Sequence, residues 1–162
     1  MNDTIIITTN KGIIEVELDR EAAPITVENF LKYVDEGFFD GTIFHRVMDN
    51  FMIQGGGFTP DGKEKKNHNP IKLESQNGLK NTRGTIAMAR TSVPDSATSQ
   101  FFINVVDNDF LNYAPGNDGY AVFGIVTKGM DVVDEIKTVK TQTNPMPDWP
   151  VETILIESIT RK

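Results

Sequence analysis

The chain has 162 residues with 23 acids against 16 bases, a formal charge of -7, and no cysteine. That length suits one domain, residues 1–162, burying roughly two thirds of its unfolded surface. Zero cysteine excludes disulfide frameworks, thiol nucleophiles and zinc ribbons, and an acidic chain without a Lys/Arg block interleaved with aromatics is a poor partner for nucleic acid.

In chain order, residues 1–10 carry an acid at Asp3 and only the short apolar run Ile5, Ile6, Ile7, which is not the charged start and apolar core of a secretion signal. No apolar stretch reaches the ~18 residues of a membrane helix, so a cytoplasmic, membrane-free protein is expected. Thr4–Thr9 and Gly12–Leu18 read as a hairpin, with Ile14, Val16 and Leu18 on one face and Glu15 and Glu17 on the other. Next, Val27, Phe30, Leu31 and Val34 fall at helical spacing after Pro24, with Thr26 as candidate cap and Gly37 as the stop. Further strands are expected at residues 42–48, 51–54, 84–90, 99–105, 121–126 and 153–159, about eight in all. Val132, Val133, Ile136 and Val139 mark a second helix after Gly129, with Asp131 in its opening turn. Strands of this number with two amphipathic helices predict a mainly β barrel or sandwich plugged by helices. The polar tract 55–83 is too long for an ordinary connection, and residues 71–73 are its candidate strand. Residues 112–119 read as a surface loop, and Trp149, between Pro147 and Pro150, as packing a C-terminal segment onto the barrel.

Several apparent signals fail. Gly55, Gly56 and Gly57 lack the Lys-Ser/Thr of a phosphate loop and read as a close backbone approach. Asp107, Asp109 and Asp118 miss the glycine and the bidentate Glu of a calcium loop. His45 and His68 are too few and too isolated for a metal site, so His45 reads as structural. Lys63, Lys65 and Lys66 read as a solvated loop beside Asp61 and Glu64.

What remains is FHRVMDNFMIQGGG from Phe44, an arginine among large apolar residues on two strands joined by a turn. A three-residue turn at residues 48–50 puts Arg46 across from Met52, with Phe44 and Gln54 on the same face; a two-residue turn puts Arg46 and Met52 on opposite faces. In SQFFINV from Ser99, Phe101, Ile103 and Val105 are expected in the core, leaving Gln100 and Phe102 to face a site. Taken singly, Phe44, Phe51, Met52 and Leu111 are ordinary core residues, Arg46 an ordinary surface cation, Gln54 and Gln100 ordinary barrel polars, and Asn104 a satisfier of strand-end backbone.

FHRV, FMIQGG, GTIAMART from Gly84, SQFFI and VFG from Val122, in that order and nearly that spacing, resemble the signature segments of the cyclophilins, most of all the compact bacterial type. The resemblance spans essentially the whole chain and is densest over residues 42–124. It implies a closed barrel of eight antiparallel strands capped by two α-helices, and a peptidyl-prolyl cis/trans isomerase assisting protein folding. The catalytic arginine corresponds to Arg46, and the proline pocket to Phe51, Met52, Phe102 and Leu111. Gln54 corresponds to a substrate-carbonyl contact, Ala89, Arg90 and Thr91 to the stretch whose backbone holds the peptide, and Gln100 to a wall. Phe110 stands where many members carry Trp, and Tyr120 where many carry His. The first departure removes an indole N–H and predicts weakened affinity for cyclosporin. The loop over residues 92–98 is one residue longer than in the familiar eukaryotic forms. A monomer is expected, acting on proline-containing peptides and folding polypeptides.

Those residue types suit the reaction. An Xaa-Pro amide resists rotation because its nitrogen lone pair is delocalised into the carbonyl, and at the twisted transition state the pair returns to nitrogen. A permanently charged guanidinium aimed at that nitrogen favours the twisted form over either planar one. Neither nucleophile, metal nor cofactor is required. The rival from another class, a proline-peptide binding module or holdase, would share the apolar seat without needing Arg46; a small-ligand barrel is the weaker rival.

Overall fold

A computed structural model describes residues 3–162. Met1 and Asn2, part of the opening segment read above, lie outside the described residues. The chain runs β1 Thr4–Thr9, β2 Gly12–Leu18, α1 Pro24–Asp35, β3 Thr42–Met48, β4 Met52–Gly55, β5 Thr85–Met88, β6 Phe101–Asn104, a single 3-10 turn Asp109–Leu111, β7 Val122–Lys128, α2 Met130–Lys137, β8 Thr141–Gln142, β9 Trp149–Pro150 and β10 Leu155–Arg161. Eight strands close a barrel in the order β1-β10-β3-β4-β6-β5-β7-β2, and β8 and β9 pair separately. All pairings are antiparallel. Closure leaves no unpaired sheet edge in the barrel. None of the helices among the described residues is long and apolar enough to cross a membrane.

Alternation along the strands sorts the side chains. Ile5, Ile7, Ile14, Val16, Leu18, Ile53, Ile86, Phe101, Ile103 and Phe123 fill the interior, and α1 closes over them with Phe30, Leu31 and Val34. A smaller cluster, Met52, Ala87, Phe102, Leu111 and Val122, sits on the outer face of the sheet. This outer cluster positions the site.

α1 begins two residues before the expected cap. Thr26 lies inside the helix and does not cap it; Pro24 occupies the first turn and Ala23 makes no side-chain cap bond. The exposed amides are satisfied instead by Glu74, whose carboxylate accepts from the N–H of Ile25 (3.2 Å) and Thr26 (2.7 Å) and from the Thr26 hydroxyl (2.6 Å). At the other end Gly37 adopts φ +69°. Its N–H reaches the Val34 carbonyl and that of Phe38 reaches Tyr33, the paired bonds of a left-handed glycine stop. The Phe38 ring then packs edge-on against Tyr33 at 4.7 Å.

The remaining corrections are local. The strand expected at residues 71–73 reduces to a single bridge between Ile71 and Ala97. Phe51 belongs to the turn before β4, and Val139 lies beyond the end of α2, packed against the core. Lys65 is not a solvated loop cation: its Nζ donates to the Phe38 carbonyl and lies 4.5 Å from the Phe38 ring centroid. Trp149 is buried, with its ring against His45 and Phe58.

Candidate active site

The β3–β4 hairpin decides where the arginine goes. Met48 pairs with Met52, Val47 with Ile53 and Arg46 with Gln54, so residues 49–51 form the turn. Neither turn drawn from the sequence is the observed one, yet Arg46 shares the outer face with Met52 and Gln54. A bulge between Phe44 and Arg46 then breaks the alternation. Phe44 therefore enters the core, fully buried against Phe101, and does not share the arginine's face. His45, at the bulge, is tucked between Phe58 and Trp149.

Arg46 lines a cavity of about 120 Å³ together with Phe51, Met52, Gln54, Ala89, Arg90, Phe102, Leu111 and Tyr120. Its guanidinium carbon is 5.9 Å from the Phe51 ring centroid, and its Nη1 donates to Gln54 Oε1 at 3.4 Å. It forms no ion pair among the described residues. Met52, Phe102 and Leu111 belong to the buried outer cluster, and Tyr120 stands edge-on to Phe102 at 5.7 Å. The result is an apolar seat with an unneutralised cation on its wall.

Not every expected residue meets there. Thr91 and Gln100 line an adjoining cavity with Glu64, Ser96 and Thr98; Gln54, Ala89 and Arg90 form the partition between the two. Phe110 is 65% exposed and stacks on Phe51 at 5.6 Å, forming the rim. The Arg90 side chain has a job that the sequence did not reveal. It donates to the Gly119 carbonyl from Nε (3.2 Å) and Nη2 (2.6 Å) and to the Thr91 carbonyl (2.9 Å), and lies 4.4 Å from the Tyr120 ring centroid, tying two loops across the cavity mouth. Within the stretch expected to hold peptide, the N–H of Ala89 already donates to the Gln100 carbonyl and that of Thr91 to Ser96 Oγ.

Two further groups escaped the sequence reading. A buried amide network links Asn81, Asn104 and Asn108: Asn104 donates to Asn81 Oδ1 (3.0 Å), and Asn108 to Asn104 Oδ1 (2.8 Å) and to the Phe51 carbonyl (2.8 Å). Asn81 also donates to the Leu111 carbonyl at 3.1 Å, so the network carries two walls of the seat. Asn104 therefore satisfies side chains, and its place on the Gln100–Phe102 face was the available signal. The other is Glu64, which accepts from Gln100 Nε2 at 3.2 Å. Burial, helped by the adjacent Arg46 charge, pushes the His45 pKa down to about 4, keeping it neutral beside the site.

Comparison with known proteins agrees with this geometry. The family model described as cyclophilin type peptidyl-prolyl cis-trans isomerase/CLD matches residues 4–161. A peptidyl-prolyl cis-trans isomerase of Acinetobacter baylyi is 58% identical over 160 residues, covering 96% of this chain and 85% of the relative. Peptidyl-prolyl cis-trans isomerase B of Escherichia coli is 58% identical over 156 residues, covering 94% and 95%. A crystal structure of a cyclophilin type peptidyl-prolyl cis-trans isomerase from Cryptosporidium parvum superposes with TM-score 0.84 at 26% identity, over 100% of this chain and 98% of that one. The same protein in the presence of the dipeptide Ala-Pro gives 0.82 at 27% identity, over 98% of each.

Proposed function

The chain belongs to the cyclophilin-type peptidyl-prolyl cis-trans isomerases and is an enzyme of that activity, and from this premise we propose that Arg46 and the apolar seat beside it perform the chemistry. The observation that carries the reading is the guanidinium, free of any carboxylate partner among the described residues, on the wall of a cavity whose other walls are Phe51, Met52, Phe102 and Leu111. The proline ring sits on the apolar floor, and Arg46 faces the imide nitrogen. As the bond twists, the nitrogen lone pair localises and accepts from the guanidinium, a bond unavailable in either planar form. Gln54 holds the neighbouring carbonyl, while the 89–91 stretch and Gln100 run along the peptide. The Ala-Pro dipeptide present with the Cryptosporidium protein makes short proline peptides the natural substrate class here too.

A millionfold acceleration would require about 8 kcal/mol. A single preorganised donor in a dry site supplies roughly 3–4 kcal/mol, so backbone anchoring and the apolar surroundings contribute the remainder. Arg46 is the largest single contributor. The enzyme works as a monomer on folding polypeptides in the cytoplasm. Cyclosporin, if it binds, binds weakly, because Phe110 offers no N–H at the rim. The test is a chymotrypsin-coupled or exchange-NMR assay on a short Xaa-Pro peptide: Arg46→Ala loses roughly 100-fold or more in kcat/KM, and equal turnover in variant and parent removes the assignment.

A further inference from the structure

Four side chains leading away from the cavity are joined by three hydrogen bonds that all run in one direction. Arg46 Nη1 donates to Gln54 Oε1 (3.4 Å), Gln54 Nε2 to Gln100 Oε1 (2.8 Å), and Gln100 Nε2 to Glu64 Oε2 (3.2 Å). A glutamine amide can turn by half a rotation with almost no change of shape, exchanging its oxygen for its NH₂. Reversal of Gln54 would set an NH₂ against the guanidinium, donor against donor. The guanidinium, a pure donor, opposes that reversal at the near end through a single long contact of 3.4 Å. At the far end the ambiguity disappears, because a carboxylate accepts and never donates.

We propose that Glu64 is a positioning residue that locks the polarity of this relay from its far end, so that Gln54 keeps its oxygen toward Arg46 and holds the guanidinium at the cavity wall. The proposal rests on the role given to Arg46 above. The surrounding backbone is arranged for it. Glu64 is held by a bridge to Phe58, and the intervening loop closes through Thr59 N–H to the Lys63 carbonyl and Gly62 N–H to the Thr59 carbonyl. Lys65 N–H is fixed to the Gly57 carbonyl. Gln100 crosses directly over Gly57, where a Cβ would stand 2.5 Å from Gln100 Cγ and 2.7 Å from its Nε2. Any other residue at Gly57 would push the amide off its path to Glu64. Glu64 thus reaches Arg46 through two other side chains, Gln100 and Gln54.

The test is a polarity reversal. Glu64→Lys replaces a pure acceptor by a pure donor, so the relay then has a donor at each end, one of its contacts must be lost, and the hold on Arg46 is weakened. The expected result is a roughly tenfold fall in kcat/KM, the size of one charged hydrogen bond, borne by kcat while KM changes little because the apolar seat is intact. Glu64→Gln, whose amide can still offer an oxygen, falls less. Gln54→Glu in the parent sets two acceptors against each other across Gln100 and also lowers kcat. Combined with Glu64→Lys, however, it restores a consistent direction: lysine to the Gln100 oxygen, Gln100 NH₂ to the new carboxylate, guanidinium to the same carboxylate. Because both carry the same loss of the Gln54 amide, the double variant should be faster than Gln54→Glu alone. That rescue persists in about 1 M salt, where the Debye length of ~3 Å suppresses simple charge compensation. Circular dichroism and Tm establish that each variant is folded. Parental kcat in Glu64→Lys, or singles that merely add in the double, overturns the relay. Arg46→Ala in the same assay separates the two readings: if it is inactive while Glu64→Lys runs at the parental rate, the relay alone is wrong, and if it is active, the role of Arg46 falls first.

Discussion

His45 precedes the proposed catalytic arginine in sequence but faces a different environment, and that contrast has a measurable consequence. Its ring is buried against Phe58 and Trp149, and Nδ1 has no hydrogen-bond partner among the described residues. Burial, and secondarily the Arg46 charge, lowers its pKa from the ordinary 6.5 to about 4. Between those values the unfolded chain binds a proton that the folded chain refuses. Stability is therefore complete above pH 6.5 and drains away as the pH falls toward 4, by up to about 3 kcal/mol from this residue. Guanidinium unfolding of the parent and of His45→Phe, at neutral pH and near pH 4, should show the acid-induced loss shrinking in the variant; an equal loss in both would mean that His45 is not the group responsible. At this scale alternation gave Phe102 its face but left two turns open for Arg46 and Met52, so Arg46, Met52 and Gln54 were drawn together by the resemblance to a family. The roles of Arg90 and Glu64 were not legible, because both act through partners brought near only by the closed barrel: Gly119 is 29 positions from Arg90, and Gln100 is 36 from Glu64.

Among the elements, α1 depends most on chain outside itself. Its apolar stripe was readable from Val27, Phe30, Leu31 and Val34, and its stop from Gly37, since both are local patterns. Its start was misread because the capping group comes from Glu74, 48 positions away from Thr26. The 55–83 tract that supplies it is ordered by similar tethers. The His68 amide donates to the Tyr33 hydroxyl, Asn67 to Thr98, Leu73 N–H to Asp95 and Asn77 to the Val122 carbonyl. No periodicity marks such a segment, because its hydrogen bonds go to scattered side chains rather than to a ladder. Glu74→Ala should strip an acceptor from two helix amides and one hydroxyl, costing about 1–2 kcal/mol and roughly 3–6 °C of Tm. Hydrogen exchange should quicken first at Ile25 and Thr26, with Glu74→Gln intermediate. A Tm equal to the parent's would show that solvent caps α1 as well as the carboxylate does.

For the molecule as a whole, the barrel wall divides the packed core from the face proposed to carry the chemistry. Inside, Phe101 meets the rings of Phe30, Phe39 and Phe44 at 5.6, 5.6 and 5.9 Å. Outside, its neighbour Phe102 lines the cavity with Arg46. Strand alternation made this division legible at Phe101 and Phe102, whereas the bulge hid it at Phe44, since one extra residue reverses the faces and leaves no mark in composition. The division predicts a double dissociation. Phe101→Ala leaves a void among packed rings and should cost about 3–5 kcal/mol, a large share of the 5–15 kcal/mol that holds a typical domain together. Arg46→Ala removes a partly buried side chain with no ion pair among the described residues and should change stability by far less, about 0.5 kcal/mol. Activity should divide the opposite way when assayed well below each Tm, with Phe101→Ala retaining most of kcat/KM and Arg46→Ala retaining little. Denaturant unfolding and the proline-peptide assay on the same two preparations decide the matter. If Arg46→Ala unfolds as readily as Phe101→Ala, its lost activity reports a damaged fold, and the separation of faces fails along with the transition-state role assigned to the guanidinium.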